Sequence, residues 1–206
     1  NIVSIPFKAL NGIDTIFKAA EKLFAEKSFS SVSMDQIAQK SGMSKGNLYH
    51  HFESKEDLYN QLLFNCHQRV ADLLKETERF EGTYLDKIRF FVKEHLKILM
   101  GDPQKTKLLL KEFSDLIDRN SMYDKRTFFL KNFEMVVNLI DQAKNNNEII
   151  RTCDSKILAI QFLSPTFSYL VFQSVSKEIL GDSDPHKNIH ITDQMTENLI
   201  NGLINK

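Results

Sequence analysis

Hydrophobic residues recur along most of the chain at steps of three and four, the spacing of amphipathic helices. The clearest case lies at residues 12–27. Its apolar side chains share one helical face: Ile13, Ile16, Phe17, Ala20, Leu23 and Phe24. No polar and apolar alternation is long enough to indicate a β-strand. The pattern predicts an all-α protein with about nine helices.

Capping residues predict three helices after the first. Ser33 is an expected N-cap, with Gln36 at the spacing of a capping box. Gly42 is an expected left-handed C-cap, and Ser44 is the expected N-cap of a short third helix. Ser54 then begins a long fourth helix that extends to about residue 78. This fourth helix is long enough to bridge two parts of the protein.

Five further helices follow a break near Gly82. The expected loops between them lie at residues 145–147 and 181–188. Pro165 falls inside the most apolar of these helices and predicts a kink or a break. The expected helices cover residues 84–100, 104–118, 125–144, 155–180 and 192–204.

Composition agrees with a soluble helical protein. The chain has 27 basic and 27 acidic residues, so its net charge of zero excludes a histone-like polycation and an acidic tail. Seven glycines and four prolines provide little of the turn chemistry that an all-β protein needs. Two cysteines, no secretory pattern in the first ten residues and no apolar run of about 18 residues favour a reducing, cytoplasmic location.

The second and third helices carry the candidate chemistry. Two short helices joined through a turn at Gly42 match the helix-turn-helix arrangement, whose second helix enters the major groove of DNA. That helix directs only Leu48 and Phe52 inward. Ser33 and Lys55 lie at helix N-termini, which attract phosphate oxygens. The predicted DNA contacts are Ser33, Ser44, Lys45, Gly46, Asn47, Tyr49, His50, His51 and Lys55.

The side chains on the exposed face of this helix fit contacts with DNA. Lys45, Asn47 and the two histidines carry groups that can reach base edges or phosphates. Tyr49 has a hydroxyl for a phosphate, although its ring can also pack against the core. Gly46 has no side chain, so the backbone can approach a base closely. Ordinary solvated lysines and histidines remain the alternative at each position.

The stretch from residue 13 to residue 63 resembles the DNA-binding region of the TetR family of transcriptional regulators. The resemblance implies an all-helical protomer with a three-helix head and a body of about six helices. It also implies a homodimer formed through the last two long helices, frequently an inducer cavity, and a phosphate contact by His51. The residues that carry the resemblance are Ala20, Phe24, Ser33 to Ala38, Gly42, Leu48, Tyr49, His51, Phe52 and Lys55.

Two positions depart from the family pattern. Ser28 stands in the region before the second helix where the family commonly has glycine, which predicts a tighter or shifted turn. Lys8 is the only basic residue before Lys18, so a basic arm in the minor groove is not expected.

A metal site is not expected either, because neighbouring histidines diverge by about 100° on a helix.

Residues 56–206 contain many phenylalanines, and core packing accounts for most of them. A mainly hydrophobic or aromatic effector is the alternative hypothesis, because pockets in helical bundles are apolar with a few polar groups. Bonded core groups remain an alternative for each polar candidate. The candidate effector residues are Phe91, His95, Phe113, Phe133, Asn138, Gln161 and Tyr169.

Together these features predict a dimeric transcriptional regulator, more often a repressor, that binds a palindromic operator in double-stranded DNA. Residues 10–55 would bind DNA, and residues 56–206 would bind an effector and dimerise through helices 155–180 and 192–204. No enzyme motif appears, and no cofactor, metal or membrane contact is expected. A TetR-like chromosome-organising factor without effector and a helical scaffold or ligand-binding protein remain the alternatives.

Overall fold

A computed structural model describes residues 7–117, 126–172 and 185–204, and all regular structure in these ranges is helical. The predicted all-α class is confirmed. No helix among these residues is long and apolar enough to cross a bilayer. The elements are α1 (Phe7–Glu26), a 3₁₀ turn (Phe29–Ser31), α2 (Met34–Ser41), α3 (Lys45–His51), α4 (Lys55–Arg79), α5 (Tyr84–Gly101), α6 (Pro103–Ile117), α7 (Arg126–Asn145), α8 (Ser155–Phe172) and α9 (Pro185–Leu203).

The helices form two compact units. Unit 1 comprises residues 1–67 and 102–126, and unit 2 comprises residues 68–101 and 127–206. Helix α6 belongs to unit 1 because it packs along α1. The division into residues 10–55 and 56–206 expected from the sequence concerns function and stays a prediction.

The core of unit 1 holds α2 and α3 against α1 and the first part of α4. Phe52 at the end of α3 is buried and its ring lies 5.5 Å from that of Phe17. Phe24 contacts Tyr59 edge to face at 4.8 Å. Leu48 is fully buried, so its side of α3 is fixed to the core. The opposite side of α3 consequently faces solvent.

Local capping fixes the ends of the short helices, as the sequence predicts. The N–H of Gln36 donates to Ser33 Oγ at 3.2 Å, and Gln36 Oε1 accepts from the N–H of Ser33 at 3.0 Å. Gly42 takes the left-handed conformation with φ 68°. The hydroxyls of Ser44 and Ser54 accept bonds from backbone N–H groups at 3.2 and 3.1 Å. Each such cap contributes about 1 kcal/mol to its helix.

Unit 2 is a helical bundle in which α9 packs against α5 and α8. Its core is built from aliphatic and aromatic residues of these helices, α7 and the last part of α4. Glu148 caps the start of α5, because its two carboxylate oxygens accept from the N–H groups of Tyr84 and Leu85 at 3.0 and 2.8 Å. An anion at this position also matches the positive end of the helix dipole. The largest fully buried side chains of this core are Ile88, Phe91 and Phe162.

Two predicted helix starts are wrong. Helix α1 begins at Phe7 rather than at Gly12, because one glycine inside a helix costs only about 1 kcal/mol. Helix α9 begins at Pro185 rather than near residue 192, since proline is favoured in the first helical position. Of the kink or break predicted at Pro165, the break is absent, because helix α8 continues through this residue and packing in the core compensates one missing hydrogen bond. The predicted extension of α8 beyond Phe172 lies outside the described residues.

Candidate nucleic-acid interface

Helix α3 presents one polar face to solvent. Lys45, Gly46 and His50 are exposed, as is Tyr49, whose surface is 48% accessible. Asn47 lies on the same short helix and is half-buried. The C-cap at Gly42 and the N-cap at Ser44 fix the turn that leads into this helix. The structure therefore brings the predicted base-contacting side chains together on one capped helix.

Lys45 is paired within unit 1 before any ligand binds. Its ammonium lies 2.9 Å from Asp35 Oδ1, and this carboxylate raises the pKa of the lysine. Both side chains are more than half exposed, so the pair is weak and easily exchanged. A phosphate or a base edge can replace Asp35 as the partner of Lys45. Sequence reasoning missed this pair, although its two residues lie on the adjacent helices α2 and α3.

The remaining side chains of α3 have fewer contacts. Asn47 Nδ2 donates to Met43 Sδ at 3.3 Å, which leaves its amide oxygen for an external partner. His51 is half-buried, and its ring meets that of His50 edge to face at 5.2 Å. The two histidines are neighbours at the end of α3, where cations match the helix dipole.

Ser33 and Ser44 lie at the starts of α2 and α3, as expected. Each hydroxyl oxygen accepts a capping bond, so its hydrogen remains the group that can be donated to a phosphate. Ser28 replaces the family glycine with ordinary extended angles, φ −63° and ψ 151°, at the start of the 3₁₀ turn. This turn therefore does not require glycine.

The structure places Lys55 differently from the other predicted contacts. Its side chain is half-buried, and its Nζ lies 2.9 Å from the carbonyl oxygen of Phe29 and 2.9 Å from that of Val32. The ammonium also lies 4.3 Å above the ring of Phe29. The phosphate contact predicted for Lys55 is untested, and its ammonium is bound to the backbone of unit 1.

Unit 1 also contains a buried ionisable pair that the sequence did not reveal. His67 Nε2 lies 3.0 Å from Glu112 Oε2, and the two side chains are 7% and 2% exposed. Glu112 Oε1 has no hydrogen-bond partner among the described residues. Nearby in the chain, burial raises the pKa of the Cys66 thiol to about 12. In the described parts of the chain, no group of three histidine, cysteine or acidic side chains is arranged to hold a metal ion.

The candidate effector residues do not form one cluster. Phe91 and His95 are buried together in unit 2, with stacked rings 5.3 Å apart, and Phe133 packs half-buried against the same core. Asn138 and Gln161 are exposed and do not join them. The side chains of Phe113 and Tyr169 lie outside the described ones. The effector site stays a prediction.

Helix α8 exposes an apolar face. Ile157, Ile160 and Val171 are 59%, 58% and 63% accessible and lie on the same side of the helix. The first turns of α8 form an open groove with α9 that also includes Leu199 and Gly202. Exposed apolar residues on one side of a helix are typical of protein contact surfaces.

Comparison with known proteins agrees with this arrangement. The family model described as bacterial regulatory proteins of the tetR family matches residues 16–62. The transcriptional repressor KstR2 of Mycobacterium tuberculosis is 27% identical over 119 residues, which are 53% of this chain and 60% of KstR2. The negative transcriptional regulator IcaR of Staphylococcus epidermidis is 33% identical over 61 residues, which are 30% of this chain and 33% of IcaR. The chain thus spans less than two thirds of either relative.

Solved structures extend the likeness in fold to almost the whole chain. The ketosteroid transcriptional regulator KstR2 of M. tuberculosis matches with a TM-score of 0.73 and 15% identity, over 94% of this chain and 95% of that one. The fatty acid degradation regulator FadR of Bacillus halodurans matches with a TM-score of 0.70 and 18% identity, over 91% and 94%. Residues 16–62, which contain α2, α3 and their caps, thus match the model of the bacterial regulatory proteins of the tetR family, and the fold of almost the whole chain is that of these solved regulators.

Proposed function

We propose that this protein is a sequence-specific DNA-binding transcriptional regulator, most simply a repressor. The observation that carries the proposal is the exposed polar face of α3, held by buried Leu48 and by caps at both ends of the preceding turn. A helix of this kind fits the major groove, where donors and acceptors of base pairs are distinguishable. Both relatives described above carry names of transcriptional repressors or negative regulators. Such a regulator acts in the cytoplasm.

Within this proposal the residues of α3 have separate roles. Lys45, Asn47 and His50 contact base edges, with Lys45 leaving Asp35 when it does so. Tyr49 and His51, with the hydroxyls of Ser33 and Ser44, contact phosphates, and exposed Gly46 allows close approach of the backbone. Residues 1–60 contain seven lysines and seven acidic residues, so the number of phosphate contacts is small. We expect a shallow salt dependence and modest non-specific affinity.

The proposed regulator is a homodimer formed by α8 and α9. The apolar face of α8 would pack on its copy and remove Ile157, Ile160 and Val171 from water. A two-fold axis through this contact requires an operator with the same symmetry. Its half-sites would lie about one helical turn apart, roughly 34 Å, or more if the two heads spread.

The proposed effector is a hydrophobic or aromatic small molecule bound in unit 2. Two neighbours in fold are named for ketosteroids and for fatty acid degradation, both of which concern apolar compounds. The effector releases DNA only if it binds the DNA-free conformation more tightly than the DNA-bound one. A thermal-shift screen tests this class: stabilisation only by charged sugars or by metal ions would contradict it.

Selection of bound fragments from random DNA tests the function itself. A single enriched palindrome supports a local regulator. Many dispersed sites would instead favour a chromosome-organising factor of the same fold, and no enrichment would favour a helical scaffold or ligand-binding protein.

A further inference from the structure

Lys55 stands at the first position of α4, where a positive charge is opposed by the helix dipole. Its ammonium is instead directed back to the segment that joins α1 to α2. We propose that Lys55 is a positioning residue of the DNA-binding head, which ties α4 to the start of α2 and so fixes the orientation of α2 and α3. This inference rests on the proposed DNA-binding function.

The geometry assigns most of the bonding capacity of Lys55 to the protein itself. An ammonium group has three donors, and two of them point to the carbonyl oxygens of Phe29 and Val32 at 2.9 Å. The ammonium also lies over the face of the Phe29 ring, with Nζ 4.3 Å from the ring centroid, which is the geometry of a cation–π contact. A phosphate could take more than the third donor of Lys55 only by displacing these contacts.

The two carbonyl groups belong to the segment that sets the start of α2. Phe29 begins the 3₁₀ turn, and Val32 directly precedes the N-cap Ser33. The carbonyl of Phe29 also accepts from the N–H of Val32, but at a long 3.4 Å, so Lys55 is its closer donor. Hydrogen bonds from charged donors are stronger than those between neutral groups. Lys55 therefore contributes a large share of the stabilisation of this turn.

Aromatic packing connects the same contact to α1 and α4. The ring of Phe29 lies 5.8 Å from that of Phe24 and 5.0 Å from that of Tyr59. Tyr59 is one helical turn after Lys55, so both contact Phe29 from the same side of α4. Lys55 thus holds the segment through two backbone carbonyl groups, and Tyr59 holds it through the ring of Phe29. Loss of the ammonium would remove the bonds to the carbonyl groups of Phe29 and Val32 but would leave the ring of Phe29 packed on Tyr59.

The experiment compares Lys55→Met with Lys22→Met, an exposed lysine of α1 that serves as the matched control. Binding to the selected operator and to random duplex is measured over a range of salt, at a temperature where both variants are folded. A positioning role predicts that Lys55→Met weakens operator binding about tenfold, the equivalent of one charge-assisted hydrogen bond. Affinity for random DNA and the salt slope of each complex stay as in the wild type and in Lys22→Met.

Two other results would overturn the inference. Weaker binding to both DNAs, with a slope lowered by about 0.9, would make Lys55 a phosphate ligand. Unchanged affinity for both DNAs in a folded but less stable variant would leave it a purely structural residue.

A double-mutant cycle, followed in unfolding as well as in operator binding, and amide exchange extend the test to the protein without DNA. Lys55→Met and Phe29→Leu should be less than additive in operator binding and in unfolding, because they act on one contact. Amide exchange at residues 33–41 should be faster in Lys55→Met than in Lys22→Met, whether or not DNA is bound. Unchanged exchange would overturn the tie between α4 and α2. If the wild type enriches no DNA, the proposed function fails, and the exchange result still decides whether this tie exists.

Discussion

The buried side chain of His95 makes the free energy of unfolding depend on pH. The side chain is 7% exposed, its Nδ1 has no hydrogen-bond partner among the described residues, and its ring stacks on Phe91. Burial lowers the pKa of His95 to about 4, from 6.5. The unfolded chain therefore binds a proton between these values, whereas the folded protein does not. Stability is complete above the unfolded pKa and is lost as the pH falls through this window.

The size of the loss follows from the shift. Each pH unit inside the window removes about 1.4 kcal/mol, so a change from about pH 7.5 to about pH 5 removes about 2 kcal/mol through His95 alone. Carboxylates and other histidines make their own pH-dependent contributions to the free energy of unfolding. A variant without His95 retains those contributions, so the difference in pH dependence between the two proteins isolates His95.

Urea unfolding at about pH 7.5 and about pH 5 measures this difference. His95→Leu should lose about 2 kcal/mol less than the wild type over this change. Phe91→Leu is the matched control, because it disturbs the same stacked pair without removing a titratable group. It should lower stability at both pH values and keep the wild-type dependence on pH. Equal pH dependence in His95→Leu and the wild type would refute the reasoning.

Three further predictions concern unit 1. Gly42→Ala should lower stability by about 1 kcal/mol and Gly42→Asn by less, because φ is 68° and an added Cβ meets no described atom within 4 Å; equal melting temperatures for the two variants would contradict this. Cys66 should react with iodoacetamide far more slowly than half-buried Cys153 at neutral pH, since burial raises the pKa of Cys66 to about 12; labelling of Cys66 at an equal rate, detected by mass spectrometry, would argue against its burial. His67→Leu should cost about 3 to 5 kcal/mol in urea unfolding, because it leaves the Glu112 carboxylate buried without this partner, and adding Glu112→Leu should restore most of that loss; additive losses would show that the pair is not coupled.

Short-range signals in the sequence predicted the caps of α2 and α3 correctly. Ser33, Gly42 and Ser44 act on backbone groups within three or four residues, so their roles as caps follow from spacing alone. Leu48 and Phe52 were recognisable as inward-facing for the same reason, because helical periodicity is local.

Contacts between elements could not be predicted in this way. Lys55 reaches back 26 residues to Phe29 and 23 to Val32, and the approach of its ammonium to these carbonyls depends on how α4 packs on the 3₁₀ turn. His67 and Glu112 are 45 residues apart, on α4 and α6. One sequence shows neither pairing, since each residue type is equally compatible with an exposed position.

The body illustrates a different difficulty. Asn138 lies among apolar residues in the sequence, but α7 turns its side chain to solvent. The apolar spacing on both sides of Asn138 fits more than one helical face, and the choice between them depends on how α7 packs in unit 2. Polar residues that are embedded in apolar stretches are therefore weak evidence for a ligand pocket.

In the proposed dimer, α3 of each protomer reads the same bases in two symmetric half-sites. The most direct test is to repeat the selection from random DNA with His50→Ala, which removes an exposed side chain of α3. The wild type should enrich an inverted repeat, and the variant should enrich a repeat that is altered at the same position of both halves. Enrichment of an identical repeat by both proteins, or a motif without two-fold symmetry, would contradict this account.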